Sequence, residues 1–378
     1  MMEVVIGLLL AFSIPLIFLC FILQLDFYQT GQFKTVLLSL ALGGIAAALA
    51  AIINRSLDYF DLLSVDDIRR FVAPFHEEII KGLFVLYVIR RSRFSYSVDG
   101  ILYGFSVGIG FAVIENYFFV TDGPLPAINI AFQRIFTTSL VHAFSSAIVG
   151  IALESYRSRN SQLQVFIPII GFVLAIGQHM LYNNAIYAIY TTGNHDPVFV
   201  TFIPGVLGIY FIYVVMKRGR KQAQEWIKEK LGMTDRVTRS EVTVIDHFAS
   251  TDDIFLPVIE RFGVEKAKQV EQLLYLQARI GIKRKSLDGV KNNLAMHNAI
   301  ESDIDEMRTE MEQIRRSIGT YAMLFVRGLF TEEMVSVWER MQAKIWERSA
   351  ETVGQIGGGL WSSLDERLKS TAENEGSD

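Results

Sequence analysis

The sequence has a single cysteine and no excess of positive charge. Cys20 alone excludes an internal disulfide and a cysteine-rich zinc site. The formal net charge of −4 gives no support for a nucleic-acid partner, and we expect none. What the chain has in quantity is apolar residues: 51% of its 378 residues are hydrophobic, and the mean hydropathy is +0.31. Long apolar runs fill the part before residue 217, and the remainder is charged.

Seven apolar stretches are long enough to cross a bilayer, which takes about 20 residues each. They lie near 4–25, 35–53, 71–89, 99–120, 128–152, 164–190 and 198–216. We therefore predict an all-α fold, with a polytopic bundle of about seven transmembrane helices over 1–216. In 217–378 apolar residues recur at helical spacing, which predicts a soluble helical domain. We expect that domain to regulate the protein or to bind a cytosolic partner.

Basic residues are unevenly distributed among the connections. If the seven spans alternate in direction, ten lysines and arginines lie in connections on the membrane face that carries the C-terminus. Three lie in connections on the opposite face. The positive-inside rule then predicts a cytoplasmic C-terminus and an N-terminus outside. The connection 54–70 mixes aromatic and apolar residues with aspartates, which predicts an amphipathic helix on the outer surface.

Ionisable side chains inside the third span are the first functional signal. A charge at the bilayer centre costs about 2.5–3.5 kcal/mol on insertion scales, so such residues mark a protein interior, a cavity or a site. Lys81 follows Glu77 by four residues and Glu78 by three, and side chains at these spacings share a helix face. The lysine can therefore reach either carboxylate.

The next three spans contribute further polar side chains. They are Glu115 and Asn116 in the fourth span, Arg134 and His142 in the fifth, and His179 and Asn183 in the sixth. At a rise of about 1.5 Å per residue, the carboxylates and imidazoles of four spans fall at overlapping depths, roughly 8–20 Å below the outer surface. We expect them to form one site between the outer surface and the middle of the membrane. Gly104, Gly108 and Gly110 of the fourth span are small residues that allow close helix packing.

Carboxylates, imidazoles and an amide in a poorly solvated pocket suit hydrolysis of a peptide bond by activated water. A carboxylate can take the proton of the water, and a histidine and an asparagine can donate to the oxyanion. Alternatively, His142, His179 and Glu115 could hold a zinc ion with a fourth, open position. The sequence is compatible with both versions of the site, so the protein uses either no cofactor or a zinc ion.

Five motifs succeed one another on neighbouring spans. They are Glu77-Glu78-x-x-Lys81, Asp99-Gly100-x-x-Tyr103-Gly104, Phe111-x-x-x-Glu115-Asn116, Arg134 followed by His142, and His179-x-x-x-Asn183. In this order they resemble the PrsW family of intramembrane proteases, within the wider superfamily that includes the CAAX-prenyl proteases. The resemblance covers roughly residues 70–190.

The resemblance implies an integral protein of a bacterial-type plasma membrane that hydrolyses peptide bonds. The founding member of the family makes the first cut in an anti-sigma factor, outside the cytoplasm. The implied partners are a single-span membrane protein as substrate and the lipid bilayer, and the implied process is regulated proteolysis.

Residue by residue, the resemblance implies that Glu77 is the catalytic glutamate and that Glu78 is its neighbour. His179 and Asn183 match the pair that binds the oxyanion. The prenyl-protease branch has a histidine at the position of Glu115, and that histidine assists activation of the water. This chain therefore lacks the assisting histidine at that position.

Either Glu115 or His142 could take over that assisting role, and Lys81 stands where the prenyl-protease branch has an arginine. Arg134 and Asn116 are expected to support the site rather than to react.

Two other classes of protein also place ionisable residues in membrane spans. An ion- or proton-coupled transporter predicts broken helices and internal repeats. A non-catalytic scaffold of the same fold differs from a protease in whether Glu77 is needed for hydrolysis.

Overall fold

The structure is a computed structural model that describes residues 2–90, 96–123, 126–158, 162–192, 197–248, 255–290 and 294–329. Within these ranges every regular element is helical, which confirms the predicted all-α fold. In chain order the α-helices are α1 (Met2–Gln24), α2 (Phe33–Tyr59), α3 (Val65–Asp67), α4 (Ala73–Ile89), α5 (Ser97–Asp122), α6 (Ala127–Phe136), α7 (Thr138–Ser158), α8 (Phe166–Thr192), α9 (Pro197–Lys230), α10 (Arg239–Phe248), α11 (Leu256–Phe262), α12 (Val264–Gly289), α13 (Leu294–Ile318) and α14 (Thr320–Gly328). A π-helical turn, Ile68–Val72, joins α3 to α4.

Five helical segments of the described chain are long and apolar enough to cross a membrane. They are Met2–Gln24, Phe33–Tyr59, Ser97–Asp122, Ala127–Tyr156 and Phe166–Ile189. The other two predicted spans correspond to α4 and α9. Because α4 has only 17 residues and α9 continues into a charged stretch, the count of seven spans stays a prediction.

The fifth predicted span, 128–152, is not one uninterrupted helix. It breaks between α6 and α7 at Thr137, whose φ of −119° and ψ of −82° are not helical. The Thr137 hydroxyl donates to the carbonyl oxygen of Gln133 and accepts a 2.7 Å hydrogen bond from the Tyr182 hydroxyl. Threonine hydroxyls that bond to nearby groups compete with helix hydrogen bonds, which accounts for a break at this position.

The surface helix predicted over 54–70 was wrong in its bounds. α2 continues through Tyr59, and the chain then turns at Asp61, which has a φ of +50°. A short new helix, α3, starts after Ser64, whose hydroxyl accepts from the backbone N–H of Asp67 at 3.1 Å. An aspartate tolerates the left-handed conformation better than most residues, and a serine is a preferred N-cap, so both favour a turn here.

Glycines allow α5 and α7 to pack closely. Gly104 and Gly108 face the backbone of α7, at Ser146 and at His142. A Cβ added at Gly108 would clash with the carbonyl oxygen of His142, so a larger residue would force the helices apart. The predicted close packing is confirmed for these two glycines, and it brings His142 against α5.

The described residues divide into two compact units. Among the described residues, those up to 237 and those in 270–314 form unit 1, and those in 238–269 and 315–329 form unit 2. The predicted boundary between 216 and 217 falls inside α9, which runs without a break through both positions. A separate soluble domain at the C-terminal end stays a prediction.

A buried polar group in unit 1, here called the loop cluster, consists of Asp26, Thr30 and Asp99. Thr30 Oγ1 donates to Asp99 Oδ1 at 2.7 Å and lies 3.2 Å from Asp26 Oδ1. Asp26 Oδ2 accepts from the backbone N–H of Gly31 at 2.7 Å. Burial, reinforced by the charge of Asp99, raises the pKa of Asp26 to about 7. This carboxyl group therefore holds a proton over much of the range below neutral pH.

The described part of unit 2 is held by a buried carboxylate. Glu241, in the first turn of α10, accepts from the backbone N–H of Thr238 at 2.7 Å. It also pairs with Arg315 at 3.0 Å and with Arg327 at 3.4 Å. A buried charge is stable when it is paired and hydrogen-bonded, so this network fixes α10 within its unit.

Candidate active site

Five buried ionisable side chains, here called the α4 cluster, meet around α4: Glu77, Glu78, Lys81, His142 and His179. Their exposed fractions lie between 0% and 5%. Lys81 Nζ donates to Glu78 Oε1 at 2.6 Å, as the spacing of three residues predicts. Since consecutive helical residues point about 100° apart, the side chains of Glu77 and Glu78 leave α4 in different directions.

α7 places His142 against Lys81. Lys81 Nζ lies 3.0 Å from His142 Nδ1 and 4.6 Å from the ring centroid of Phe111. An ammonium group can only donate, so Nδ1 accepts and the ring proton is assigned to Nε2. His142 Nε2 then donates to Glu115 Oε2 at 2.7 Å. Both ring nitrogens of His142 thus have a partner.

α6 supports Glu115 from the other side. Arg134 Nη2 donates to Glu115 Oε2 at 2.6 Å, and Arg134 Nε donates to Asn116 Oδ1 at 2.8 Å. The guanidinium carbon lies 3.8 Å from the ring centroid of Phe119. Asn116 Nδ2 donates in turn to Ser139 Oγ at 3.0 Å. These contacts hold the Glu115 carboxylate against His142, and they give Arg134 and Asn116 supporting positions.

α8 places His179 between the two glutamates of α4. His179 Nδ1 lies 2.8 Å from Glu78 Oε1, and His179 Nε2 lies 4.0 Å from Glu77 Oε2. Glu78 also binds the Lys81 ammonium, so it is an ionised acceptor and Nδ1 donates to it. In the neutral tautomer assigned here, Nε2 presents a lone pair toward Glu77, across a gap of 4.0 Å that is too long for a direct hydrogen bond.

Asn54 of α2 is a site neighbour that sequence reasoning missed. Its Nδ2 donates to Glu77 Oε1 at 3.3 Å. By sequence this residue falls in the connection after the second span, because the apolar run ends at residue 53. The available signal was an amide directly after the last apolar residue of a span, on the side of the membrane where Glu77 was predicted to lie.

Asn183 lies beside the α4 cluster and contacts another group. It follows His179 by one turn of α8, yet its Nδ2 donates to the backbone carbonyl oxygen of Arg69 at 2.8 Å. Of the residues predicted for the site, Glu77, Glu78, Glu115, His142 and His179 are joined by close contacts, and Asn183 is held outside that chain of contacts. Its oxyanion role stays a prediction.

The comparison with protein families decides what this bundle is. Residues 31–216 match the family model described as PrsW family intramembrane metalloprotease. Residues 31–216 of this chain belong to the PrsW family. Neither the curated proteins nor the solved structures contain a match. The PrsW match covers the bundle from the start of α2 into α9, and it includes every residue of the α4 cluster.

The matching family is described as a metalloprotease family, so the side chains of the α4 cluster were compared with the needs of a metal ion. Glu77, His142 and His179 offer one ligand atom each within 4.8 Å of one another, and all three are buried. The hydrogen bond from His179 Nδ1 to Glu78 is the outer-carboxylate contact that metal-binding histidines commonly make. The set fits zinc in donor type and number. This ligand set contains Glu77, whereas the sequence predicted Glu115 as the third ligand. To bind a metal ion, His142 would have to give up its hydrogen bond to Lys81 or to Glu115.

Proposed function

We propose that this PrsW family protein is an intramembrane endopeptidase that cuts a membrane-anchored substrate with water activated by Glu77. The observation that carries the proposal is the 4.0 Å separation between Glu77 Oε2 and His179 Nε2. Two acceptors at that separation can each receive a hydrogen bond of about 2.8 Å from one water, with about 90° between the two bonds. A water bound through both protons is free to present an oxygen lone pair to a carbonyl carbon.

Glu77 is the general base of this reaction. As the water oxygen attacks the carbonyl carbon of the scissile bond, the Glu77 carboxylate takes one water proton. Glu77 then gives that proton to the amide nitrogen, the C–N bond breaks, and a new carboxyl group and a new amino group are formed. Asn54 holds the other carboxylate oxygen of Glu77 at 3.3 Å, which keeps Oε2 on the side of His179.

Glu78 and Lys81 act through His179. The ion pair at 2.6 Å keeps Glu78 a hydrogen-bond acceptor, and Glu78 fixes the ring of His179 at 2.8 Å. The second contact of Lys81 fixes the ring of His142, which in turn is bound to Glu115. These side chains thus orient the two imidazoles before a substrate arrives, which is the preorganisation that electrostatic catalysis requires.

A zinc ion bound by Glu77, His142 and His179 would supply a water of lowered pKa and polarise the substrate carbonyl. We expect carboxylate chemistry to suffice without it, because both ring nitrogens of His142 already have partners. Elemental analysis of active, purified protein tests this expectation. Stoichiometric zinc that disappears together with activity in His142→Ala or His179→Ala would show that the ion is part of the site.

We also propose a substrate, an orientation and a partner. The burial of the α4 cluster among helices suits a single-span membrane protein, as in the first cut of an anti-sigma factor outside the cytoplasm. The bias of basic residues supports a cytoplasmic C-terminus in a bacterial-type plasma membrane, with 217–378 available to a cytosolic partner. A reporter fused after Lys221 should be active only in the cytoplasm, and activity outside would invert this topology.

The decisive experiment compares the wild type with Glu77→Gln on candidate single-span membrane proteins. Glutamine keeps the shape of Glu77 but cannot accept the water proton, so the rate should fall at least about 10²-fold. Asp58→Asn is the matched control, because it neutralises an exposed carboxylate of α2 and should cleave normally. If Glu77→Gln folds and cleaves at the wild-type rate, Glu77 is not the base. If the wild type cleaves no candidate, the scaffold class regains support.

A further inference from the structure

The helix that carries Glu77 and Glu78 begins with a π-helical turn. Ile68–Val72 forms this turn, and the backbone N–H of Ala73 bonds to the carbonyl oxygen of Ile68, five residues earlier. π-helical turns are rare and frequent at functional sites. Each residue added to a helix rotates the rest of that helix by about 100°. The π turn therefore sets the direction in which both glutamates leave α4.

Two adjacent asparagines of α8 hold this turn. Asn183 Nδ2 donates to the carbonyl oxygen of Arg69 at 2.8 Å. Asn184 Oδ1 accepts from Arg70 Nε at 2.8 Å, and Asn184 Nδ2 lies 3.4 Å from the carbonyl oxygen of Arg70. The Arg70 guanidinium also lies over the Tyr187 ring, 4.3 Å from its centroid. Backbone and side chain of the π turn are thus both bound to α8.

The same face of α8 holds α4 at a second point. His179 precedes Asn183 by four residues, so the two side chains lie on one face of the helix. His179 binds Glu78 at 2.8 Å, whereas Asn183 binds the π turn. The turn and the reacting groups are therefore fixed to one rigid element, and a shift of the turn would move Glu78 relative to His179.

We propose that Asn183 and Asn184 are positioning residues that fix the π turn and thereby aim Glu77 and Glu78 at His179. The catalytic consequence rests on the function proposed above. The proposal gives Asn183 another role than oxyanion binding, because one of its two amide N–H groups donates to the Arg69 carbonyl and so ties the side chain to the π turn. Asn184 has the same role, although nothing in the family motif singles it out.

Hydrogen–deuterium exchange tests the clamp without any substrate. In protein embedded in lipid nanodiscs, Asn183→Ala should speed exchange of the backbone amides of 68–73 about tenfold, which is the effect of losing one hydrogen bond of typical strength. Asn184→Ala should speed the same amides, and it keeps the test valid if Asn183→Ala fails to fold. Thr192→Ala is the matched control, because it removes a side-chain hydrogen bond that α8 makes to its own Ala188 carbonyl. It should leave 68–73 unchanged.

Kinetics test the consequence for catalysis. A small displacement of a reacting group can cost about 10²-fold, so both asparagine variants should lose about 10- to 100-fold in kcat. KM should not change, because neither side chain touches the substrate. The double variant should lose less than the product of the two single losses, since both side chains hold one turn.

Two results would overturn the proposal. One is normal exchange at 68–73 in Asn183→Ala together with a large loss of kcat, which would return Asn183 to the oxyanion. The other is wild-type exchange and activity in Asn184→Ala. A wild-type protein that cleaves nothing would refute the proposed function alone, because the exchange experiment would still report on the clamp.

Discussion

The α4 cluster and the loop cluster bury carboxylates in the same compact unit, and they differ in what stands beside each carboxylate. In the α4 cluster the Lys81 ammonium lies 2.6 Å from Glu78. In the loop cluster the Thr30 hydroxyl lies 2.7 Å from Asp99. Burial and the charge of Asp99 raise the pKa of Asp26 and outweigh the opposing effects of the hydrogen bonds from Gly31 and Thr30 and of the charge of Arg279. The α4 cluster pairs a buried carboxylate with a positive charge, whereas the loop cluster favours protonation of a buried carboxylate.

The difference shows that burial by itself does not define the chemistry of an acidic group. Asp99 and Glu115 both belong to α5 and lie about 24 Å apart along it, at 1.5 Å per residue. Near Asp99 the chain provides a hydroxyl and a second carboxylate. Near Glu115 it provides a guanidinium and an imidazole. The partners brought by neighbouring helices thus decide what each carboxylate can do.

The largest expected effect comes from removing the counter-charge of the α4 cluster. Lys81→Met keeps the length of the side chain but leaves Glu78 buried and unpaired, which should lower the free energy of unfolding by about 3–5 kcal/mol. Thermal unfolding in detergent measures the loss, with Lys217→Met as the exposed control. Adding Glu78→Gln to Lys81→Met should recover part of the stability. A Lys81→Met protein as stable as the wild type would contradict the pairing.

The loop cluster should show the opposite dependence on charge. The pKa of Asp26 is about 7 in the folded protein and near 3.8 without burial. Between these values the folded protein keeps a proton that the unfolded chain has lost. The contribution of Asp26 to the free energy of unfolding should therefore be highest below about pH 4, fall as the pH rises to about 7, and then level off.

Asp26→Asn mimics the protonated group and should abolish this part of the pH dependence. At pH 8 the variant should be more stable than the wild type by roughly 2–4 kcal/mol, since one pKa unit corresponds to about 1.4 kcal/mol. Stability measured from pH 4 to pH 8 for both proteins is the test. A difference in stability between the two proteins that does not change from pH 4 to pH 8 would show that Asp26 does not hold a proton in the folded protein.

A smaller effect is expected at the edge of the α4 cluster. Arg134→Lys keeps the charge beside Glu115 but cannot bind Glu115 and Asn116 together through a planar fork. We expect a loss of about 1–2 kcal/mol in stability and about a tenfold loss in kcat, because Glu115 would hold His142 less firmly. Arg218→Lys, at an exposed position, is the control. Unchanged activity in Arg134→Lys would confine the role of the arginine to its charge.

Part of this site could be predicted from the sequence, because spacing within a helix is visible there. The positions of Glu78 and Lys81, three residues apart, gave their contact directly. Overlapping depth gave the meeting of Glu115, His142 and His179. The family resemblance gave the protease class, and the family match agrees with it.

What could not be predicted are contacts that depend on how one helix faces another. The bond from Asn183 to the Arg69 carbonyl requires a π turn, and nothing in the composition of 68–72 signals one. The break at Thr137 depends on the Tyr182 hydroxyl of another helix. The loop cluster joins Asp26, in the connection after the first predicted span, to Asp99, at the start of the fourth. Their distance along the chain gives no sign that they meet. Such contacts arise from tertiary packing, which overrides local pattern.

The position of His142 depends on the absence of a side chain at Gly108. This glycine carries no functional group and touches no reacting atom, yet one methyl group there would press on the backbone of His142. In a random mutagenesis screen scored by cleavage, Gly108 would therefore rank with the ionisable residues of the α4 cluster. A list of catalytic positions compiled from such a screen would contain a residue whose contribution is the volume it leaves unfilled.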